Sequence, residues 1–251
     1  MFRPRIIPVL LLKNLALVKS IQFKNHKYIG DPINAVRIFN ELRADELVVL
    51  DIEASRQNRL ISLDFVKNVG EEANMPFAVG GGIKTIENIK DVISAGAEKV
   101  IINTSAAQNP DFVRQAAETF GSSTIVVCID VKKKLFRGER TWILSGSKST
   151  PYTPLEFARL MEKNGAGELI IQSIERDGTM TGYEIELTKS ISTSVTVPVI
   201  ALGGAGTHED LITAYKDGYA NGLAAGSLFV YQSKKRGVLV NYPDKGKLVF
   251  E

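Results

Sequence analysis

The chain carries two glycine clusters, each set between a short apolar run and a polar helix start. They are Val79-Gly80-Gly81-Gly82-Ile83-Lys84-Thr85 after Pro76-Phe77-Ala78, and Leu202-Gly203-Gly204-Ala205-Gly206-Thr207 after Pro198-Val199-Ile200-Ala201. Bare backbone N–H groups at the positive end of a helix can hold a phosphate, whereas the bland role of such glycines is to let a strand turn sharply. One cluster would be read as a turn; two at matched positions point to a pair of anion sites. Asp130, ending Val127-Cys128-Ile129-Asp130, is a carboxylate that could serve as general acid or base, with a helix cap or a partner for Lys132, Lys133 or Lys134 as its structural alternative. Asp51 ends Leu47-Val48-Val49-Leu50-Asp51 similarly, and Asp177 is placed to bind ligand hydroxyls or to cap its own turn. Metal and thiolate chemistry lack the residues: His26 and His208 are not spaced as ligands, and Cys128 has no activating neighbour. No cofactor is expected.

Groups this far apart in sequence need a scaffold that gathers them, and the scaffold is visible as a repeat. Pro76 and Pro198, Glu46 and Glu168, and Gly96 and Gly218 are each separated by 122 residues. At that offset Glu46-Leu47-Val48-Val49-Leu50-Asp51-Ile52 is answered by Glu168-Leu169-Ile170-Ile171-Gln172-Ser173-Ile174. The chain therefore divides into halves of about 1–122 and 123–230, with an extension over about 231–251, all within one domain.

Apolar runs of strand length fall at residues 5–12, 46–52, 77–80, 99–103, 124–131, 168–173, 199–202 and 222–225. They are continuously apolar, as strands covered on both faces must be, and helical patterns separate them. A capping residue before proline marks helix starts at Asp31-Pro32, Asn109-Pro110 and Thr153-Pro154, while Gly96, Gly165 and Gly218 stand where helices should stop. Eight strand–helix units in two halves predict an α/β fold, a (β/α)8 TIM barrel built from two similar half-barrels, with chemistry at the C-terminal ends of the strands. Two doubly wound domains rank second, because the glycine clusters lack GxGxxG spacing and no linker separates the halves.

On that barrel, Gly81, Gly82, Asn103 and Thr104 share one half of the upper rim. Asp177, Gly178, Gly204, Ala225, Gly226 and Ser227 share the other, so a ligand with a phosphate at each end would span the mouth. Residues 13–30 read as a long loop whose Lys13, Lys19, Lys24 and Lys27 could close over an anion. Residues 132–150 read as a hairpin, Lys133-Lys134-Leu135-Phe136 against Thr141-Trp142-Ile143-Leu144, turning through Arg137-Gly138-Glu139-Arg140.

The 251 residues are 44% hydrophobic, enough for a large core. With 31 basic and 28 acidic residues, the net charge of +3 describes a mixed surface and argues against nucleic acid as a partner. The single cysteine excludes an internal disulfide and makes a reducing, cytoplasmic setting the expectation. Ile6-Ile7-Pro8-Val9-Leu10-Leu11-Leu12 is too short to span a bilayer and reads as a strand of a soluble protein, with no membrane role.

Arg5-Ile6-Ile7, Gly30-Asp31-Pro32, Leu50-Asp51-Ile52, Val79-Gly80-Gly81-Gly82-Ile83, Ile102-Asn103-Thr104, Phe120-Gly121-Ser122, Arg176-Asp177-Gly178-Thr179 and Gly203-Gly204-Ala205-Gly206 together resemble the cyclase (HisF) subunit of imidazole glycerol phosphate synthase. The match runs from Arg5 to about Phe229. The resemblance implies a substrate with two phosphates at the open end, held by the rim residues with Lys19 and Asp51, and a HisH-type glutaminase at the other end releasing ammonia into the barrel. It implies that Asp130 is one of two catalytic aspartates, and that Arg5, Glu46, Lys99 and Glu168 form a charged gate for ammonia. Without the family, those four would be read as an ion-pair network stabilising the floor of the barrel.

The sequence departs from the family where the second catalytic aspartate corresponds to Leu11, and Gln172 and Leu202 replace residues that tend to be small and hydroxylated. Losing one of two acid–base groups lowers a rate by on the order of 10²–10⁴. Two expectations of different class follow. In the favoured one, a diverged paralogue keeps the ammonia path but serves sugar amidation in surface polysaccharide (O-antigen type) biosynthesis, handing ammonia to a separate amidotransferase. In the other, the chain is an authentic cyclase of histidine biosynthesis, making imidazole glycerol phosphate and aminoimidazole carboxamide ribonucleotide with Asp130 alone. A phosphate-binding isomerase on the same barrel would need no glutaminase and leaves the four floor charges unexplained.

Overall fold

The computed structural model describes residues 3–232, 237–244, 246 and 248–250, so residues 233–236, 245, 247 and 251 of the predicted extension lie outside the described residues. In chain order the strands are β1 (Arg5–Lys13), β2 (Ala16–Ile21), β3 (Lys24–Gly30), β4 (Leu47–Asp51), β5 (Phe77–Gly80) and β6 (Lys99–Ile102). They continue with β7 (Ile125–Lys134), β8 (Gly138–Ile143), β9 (Lys148–Ser149), β10 (Glu168–Ser173), β11 (Val199–Leu202) and β12 (Gly222–Ala225). The helices are α1 (Pro32–Glu41), α2 (Leu63–Glu72), α3 (Ile86–Ser94), α4 (Thr104–Gln108), α5 (Pro110–Phe120), α6 (Pro154–Lys163), α7 (Ile185–Ser192), α8 (His208–Lys216) and α9 (Ser227–Val230).

Eight parallel strands, β1-β4-β5-β6-β7-β10-β11-β12, form a closed ring, because β12 pairs back onto β1 from Arg5↔Gly222 to Pro8↔Ala225. The halves meet a second time where β7 pairs with β10, from Glu168↔Val126 to Ser173↔Val131. The chain is thus the predicted α/β TIM barrel. Alternation along each strand explains its unbroken apolar run. Ile7, Val9, Val48, Val126, Cys128, Ile170 and Ile200 fill the interior of the barrel. Their neighbours Ile6, Leu10, Leu47, Val49, Val127 and Leu169 pack outward against the helices, with Val36, Phe39, Val66, Val113, Phe157 and Leu211. Burying a side chain such as Phe39 or Phe157 contributes about 1.5–3 kcal/mol.

Local signals act as their chemistry requires. Asp31 Oδ1 accepts from the Asn34 N–H at 2.9 Å, and Thr153 forms a reciprocal capping box with Glu156 at the start of α6. Asn109 precedes α5 without a side-chain capping bond, in the tight junction between α4 and α5. Thr85 caps α3 through the Asn88 N–H at 3.1 Å, and Thr207 caps α8 through the Asp210 N–H at 3.3 Å, the same pair of positions 122 residues later.

Two expectations need correction. Residues 13–30 are not an open loop: β1 runs on through Lys13, β2 folds back along it from Leu11↔Val18 to Lys13↔Ala16, and β3 folds back on β2. Both turns are made by consecutive left-handed residues, Asn14-Leu15 at φ 50° and 61° and Gln22-Phe23 at 53° and 61°, the backbone pattern of type I′ hairpin turns. The hairpin over 132–150 is present, but it turns earlier than predicted. Lys134 pairs with Gly138, so the turn is at 135–137, where Phe136 takes φ 60°.

Beyond the barrel strands, Tyr242 packs its ring near Phe39 and Phe229, with centroids at 6.5 and 5.6 Å, and its hydroxyl donates to the Ile6 carbonyl at 2.9 Å. Among the described residues no helix is long and apolar enough to cross a membrane.

Candidate functional site

The C-terminal ends of the barrel strands surround a cavity of about 190 Å³. Gly81, Gly82, Asn103 and Thr104 reach it from β5 and β6, and Asp177, Gly178, Gly204, Ala225, Gly226 and Ser227 from β10, β11 and β12. Lys19, Asp51 and Asp130 complete the lining, so the structure brings together every residue predicted for the substrate site.

Backbone crowding explains the glycines. A Cβ on Gly82 would lie 1.8 Å from the Arg59 carbonyl oxygen, and one on Gly204 would lie 2.1 Å from that of Gly182, at φ values of +71° and +110°. Gly81 and Gly203 press in the same way on the carbonyls of Asp51 and Ser173, at 3.0 and 2.7 Å. Each half reuses one crowded turn, and each turn runs into a helix that is capped by a threonine, Thr85 or Thr207.

The charged groups are positioned differently from one another. Lys19 projects from β2, is buried, and donates from Nζ to the Val9 carbonyl at 2.5 Å. Burial lowers its pKa to about 8, with nearby Asp177 pulling the other way. Gly226 makes room for it, since a Cβ there would lie 2.6 Å from Nζ. Asp51 is held by the Arg59 guanidinium at 2.6 and 3.2 Å and by the N–H groups of Glu53 and Ala54 at 3.0 and 3.1 Å. It shapes the turn and keeps little capacity for a ligand. Asp177 accepts from Ser20 Oγ at 2.7 Å, the Phe23 N–H at 3.3 Å and Gln172 Nε2 at 3.4 Å. Burial still pushes its pKa up.

Asp130 stands apart. It is the inward residue near the top of β7, and its Oδ1 faces the Cys128 thiol at 3.5 Å. Burial raises its pKa to about 7, the Cys128 hydrogen bond opposing that rise and the charge of Asp177 adding to it. The thiol is itself pushed well up by burial and by Asp130, so Cys128 is a protonated wall residue. Leu11 lines the same cavity and packs with Leu50 against the inner core. Asn103 donates to the Cys128 carbonyl at 2.9 Å and accepts from Thr104 Oγ1 at 3.3 Å, while Thr104 Oγ1 also accepts the Leu144 N–H at 3.1 Å.

At the opposite end, Arg5 donates to both Glu46 and Glu168, and Lys99 Nζ donates to the same two carboxylates at 3.0 and 3.1 Å. The four predicted floor residues thus form a ring of alternating charge. Above it the interior is apolar as far as Cys128 and Leu202.

Sequence reasoning missed Ser20, Phe23, His26 and Ser145, all of which line the cavity, and Arg59, which holds Asp51. Ser20, Phe23 and His26 would have followed from recognising the β2–β3 hairpin. Arg59 has no spacing signal, because it meets Asp51 across an irregular turn.

Residues 5–235 match the family of histidine biosynthesis proteins. The chain is 46% identical over 248 residues to a provisionally named imidazole glycerol phosphate synthase subunit hisF2 of Pseudomonas aeruginosa, covering 99% of each chain. It is 44% identical over 246 residues to a provisionally named HisF subunit of Leptospira interrogans, covering 98% of this chain and 97% of that one. Against the imidazole glycerol phosphate synthase subunit HisF of Alkaliphilus metalliredigens the identity is 42% over 231 residues, 92% of each.

Proposed function

The chain belongs to the HisF family of imidazole glycerol phosphate synthase subunits, and from there we propose that it is the barrel subunit of a glutamine-dependent, ammonia-channelling enzyme. A HisH-type glutaminase docks at the floor, ammonia passes the charged ring, and a ligand with two phosphates occupies the mouth. Residues of about 1–122 and 123–230 act as the two half-barrels, each contributing one phosphate site.

The observation that carries this reading is the layered interior: a ring of four charges, then an apolar tube, then a cavity holding Asp130. Each carboxylate of the ring has two cationic partners, so one contact can part without stranding a buried charge. An apolar tube admits neutral ammonia and disfavours ammonium, which would leave its hydration behind. The turns at Gly82 and Gly204 line the mouth for the two phosphates, one beside Asn103 and Thr104 and the other beside Gly226 and Ser227, with Lys19 as the buried cation.

The acceptor we assign is a sugar in surface polysaccharide (O-antigen type) biosynthesis, reached through a separate amidotransferase in the cytoplasm, with the barrel serving as conduit and activator of the glutaminase. Leu11 supports this: it lies in the cavity where the family resemblance implies a second acid, and the nearby carboxylate of Asp177 is already engaged by Ser20, Phe23 and Gln172. Asp130 favours the alternative, an authentic cyclase, since a carboxyl with a pKa of about 7 suits proton transfer at neutral pH. Ammonia-dependent cyclisation by wild type and Leu11→Asp separates the two. The conduit reading expects negligible wild-type turnover and a gain of about 10² or more on restoring the acid. Wild-type turnover equal to that of an authentic cyclase would defeat it.

A further inference from the structure

Gln172 stands at the top of β10 on its inward face, with Ile170 below it and the floor residue Glu168 below that. It is in register with Asp130 of β7 on one side and Leu202 of β11 on the other. The side chain is 4% exposed and lines the mouth cavity. Its Nε2 donates to Asp177 Oδ1 at 3.4 Å, which sets the orientation of the amide: flipped, its oxygen would face a carboxylate. Oε1 is then a buried acceptor without a hydrogen-bond partner. Such atoms are rare in folded proteins because water has been removed and nothing replaces it.

The other polar side chains of this layer cannot supply the missing donor. Asn103 gives its N–H to Cys128 and is matched by Thr104. Asp177 is an acceptor already served by three donors. Asp130, on one side of Gln172, faces the Cys128 thiol, while Leu202 on the other side and Leu11 and Leu50 across the mouth are apolar. Around Gln172 the mouth therefore offers acceptors and hydrocarbon, and the buried cation of the lining, Lys19, gives its Nζ to the Val9 carbonyl instead.

The geometry points to Gln172 Oε1 as the acceptor for an N–H or O–H donor on the guest at the centre of the mouth, which makes Gln172 a specificity-determining residue. The inference rests on the proposed function only for what the guest is: ammonia emerging from the tube, or a donor group in the middle of the phosphorylated ligand. A guest whose middle carries only carbonyl or ether oxygens leaves Oε1 unpaired and is selected against.

The test follows the Gln172 side-chain amide by NMR, assigned through its disappearance in Gln172→Leu, with three probes. Ammonium chloride at alkaline pH supplies free ammonia, imidazole glycerol phosphate supplies a donor on a phosphorylated body, and inorganic phosphate supplies the anion without a body that reaches the centre of the mouth. The Gln172 amide should shift with ammonia or with imidazole glycerol phosphate, which identifies the source, and stay still with phosphate. Gln172→Leu should weaken that donor probe about 3–10-fold and leave phosphate binding within about twofold. Because Leu replaces an orphaned polar atom, the Leu variant should melt no lower than wild type. A still Gln172 amide with both donor probes, or a Leu variant that loses stability and all three affinities together, would show that Gln172 merely braces Asp177. Phosphate is expected to shift the Gly82 and Gly204 amides independently; silence there would count against the phosphate sites and not against Gln172.

Discussion

Asp130 owes its raised pKa chiefly to burial, and this has a consequence for stability that can be separated from catalysis. Its pKa of about 7 in the folded protein lies above the ordinary carboxylate range, so folding favours the protonated form. The contribution is complete below pH ~4 and is lost as the pH rises through about 7. Asp130→Asn should therefore match wild type near pH ~4 and exceed it by up to about 4 kcal/mol at pH ~8, read by chemical denaturation across that range. Parallel stability curves would mean that Asp130 is solvated after all. Lys19 makes the opposite prediction for binding. With its pKa lowered to about 8, part of it is neutral at mildly alkaline pH, and an arriving phosphate dianion favours the charged form. Phosphate binding near pH 8 should take up protons, seen as a dependence of the calorimetric heat on buffer ionisation enthalpy, and Lys19→Met should abolish it. At this scale the sequence was a good guide to location and a weaker one to role. Residue types at strand ends located the cavity lining, but that Asp51 is tied up by Arg59 depends on a meeting across a turn that no spacing announces.

The two glycine turns are the elements on which the mouth depends, and their crowding is testable without any ligand. Gly82→Ala and Gly204→Ala each place a methyl about 2 Å from a backbone oxygen, at φ +71° and +110°. Neither neighbour is a side chain that could swing away. Each substitution should destabilise by more than about 3 kcal/mol in urea denaturation, combining overpacking with backbone strain. Gly138→Ala is the control: φ is +66° but nothing lies within 4 Å of the added atom, so only the left-handed backbone term of about 1–2 kcal/mol remains. Equal losses at the three sites would mean that conformational freedom alone selects these glycines. Helices and barrel strands were legible because caps, glycine stops and apolar runs agree at each of them. The β2–β3 hairpin was not. Its turns use Asn14-Leu15 and Gln22-Phe23 at positive φ with no glycine, and β3 is largely exposed along Lys24–Gly30, so neither turn chemistry nor hydrophobic alternation marks it.

At the scale of the whole molecule, the duplication was legible because both halves bury the same turn against the same kind of backbone neighbour. The recurrence at 122 residues therefore extends from sequence to the caps of Thr85 and Thr207. The floor was legible only as four charges in search of a geometry, since nothing in the spacing of Arg5, Glu46, Lys99 and Glu168 says that they meet. In the structure they form one ring, in which each ion touches two of opposite sign. Glu46 and Glu168 are buried, so neither can exchange a lost partner for water. Lys99→Met leaves both carboxylates to Arg5 and should destabilise by about 3–5 kcal/mol. Glu46→Gln in that background removes the surplus charge and leaves Arg5 paired with Glu168. The double variant should thus be more stable than Lys99→Met alone, with a coupling of about 0.5–3 kcal/mol in the mutant cycle. A closed ring that can open one contact while the others hold, which passage of ammonia requires, predicts that non-additivity. Additive losses would instead mean that Lys99 and Glu46 do not stabilise one another, and the floor would then have no basis for acting as a gate.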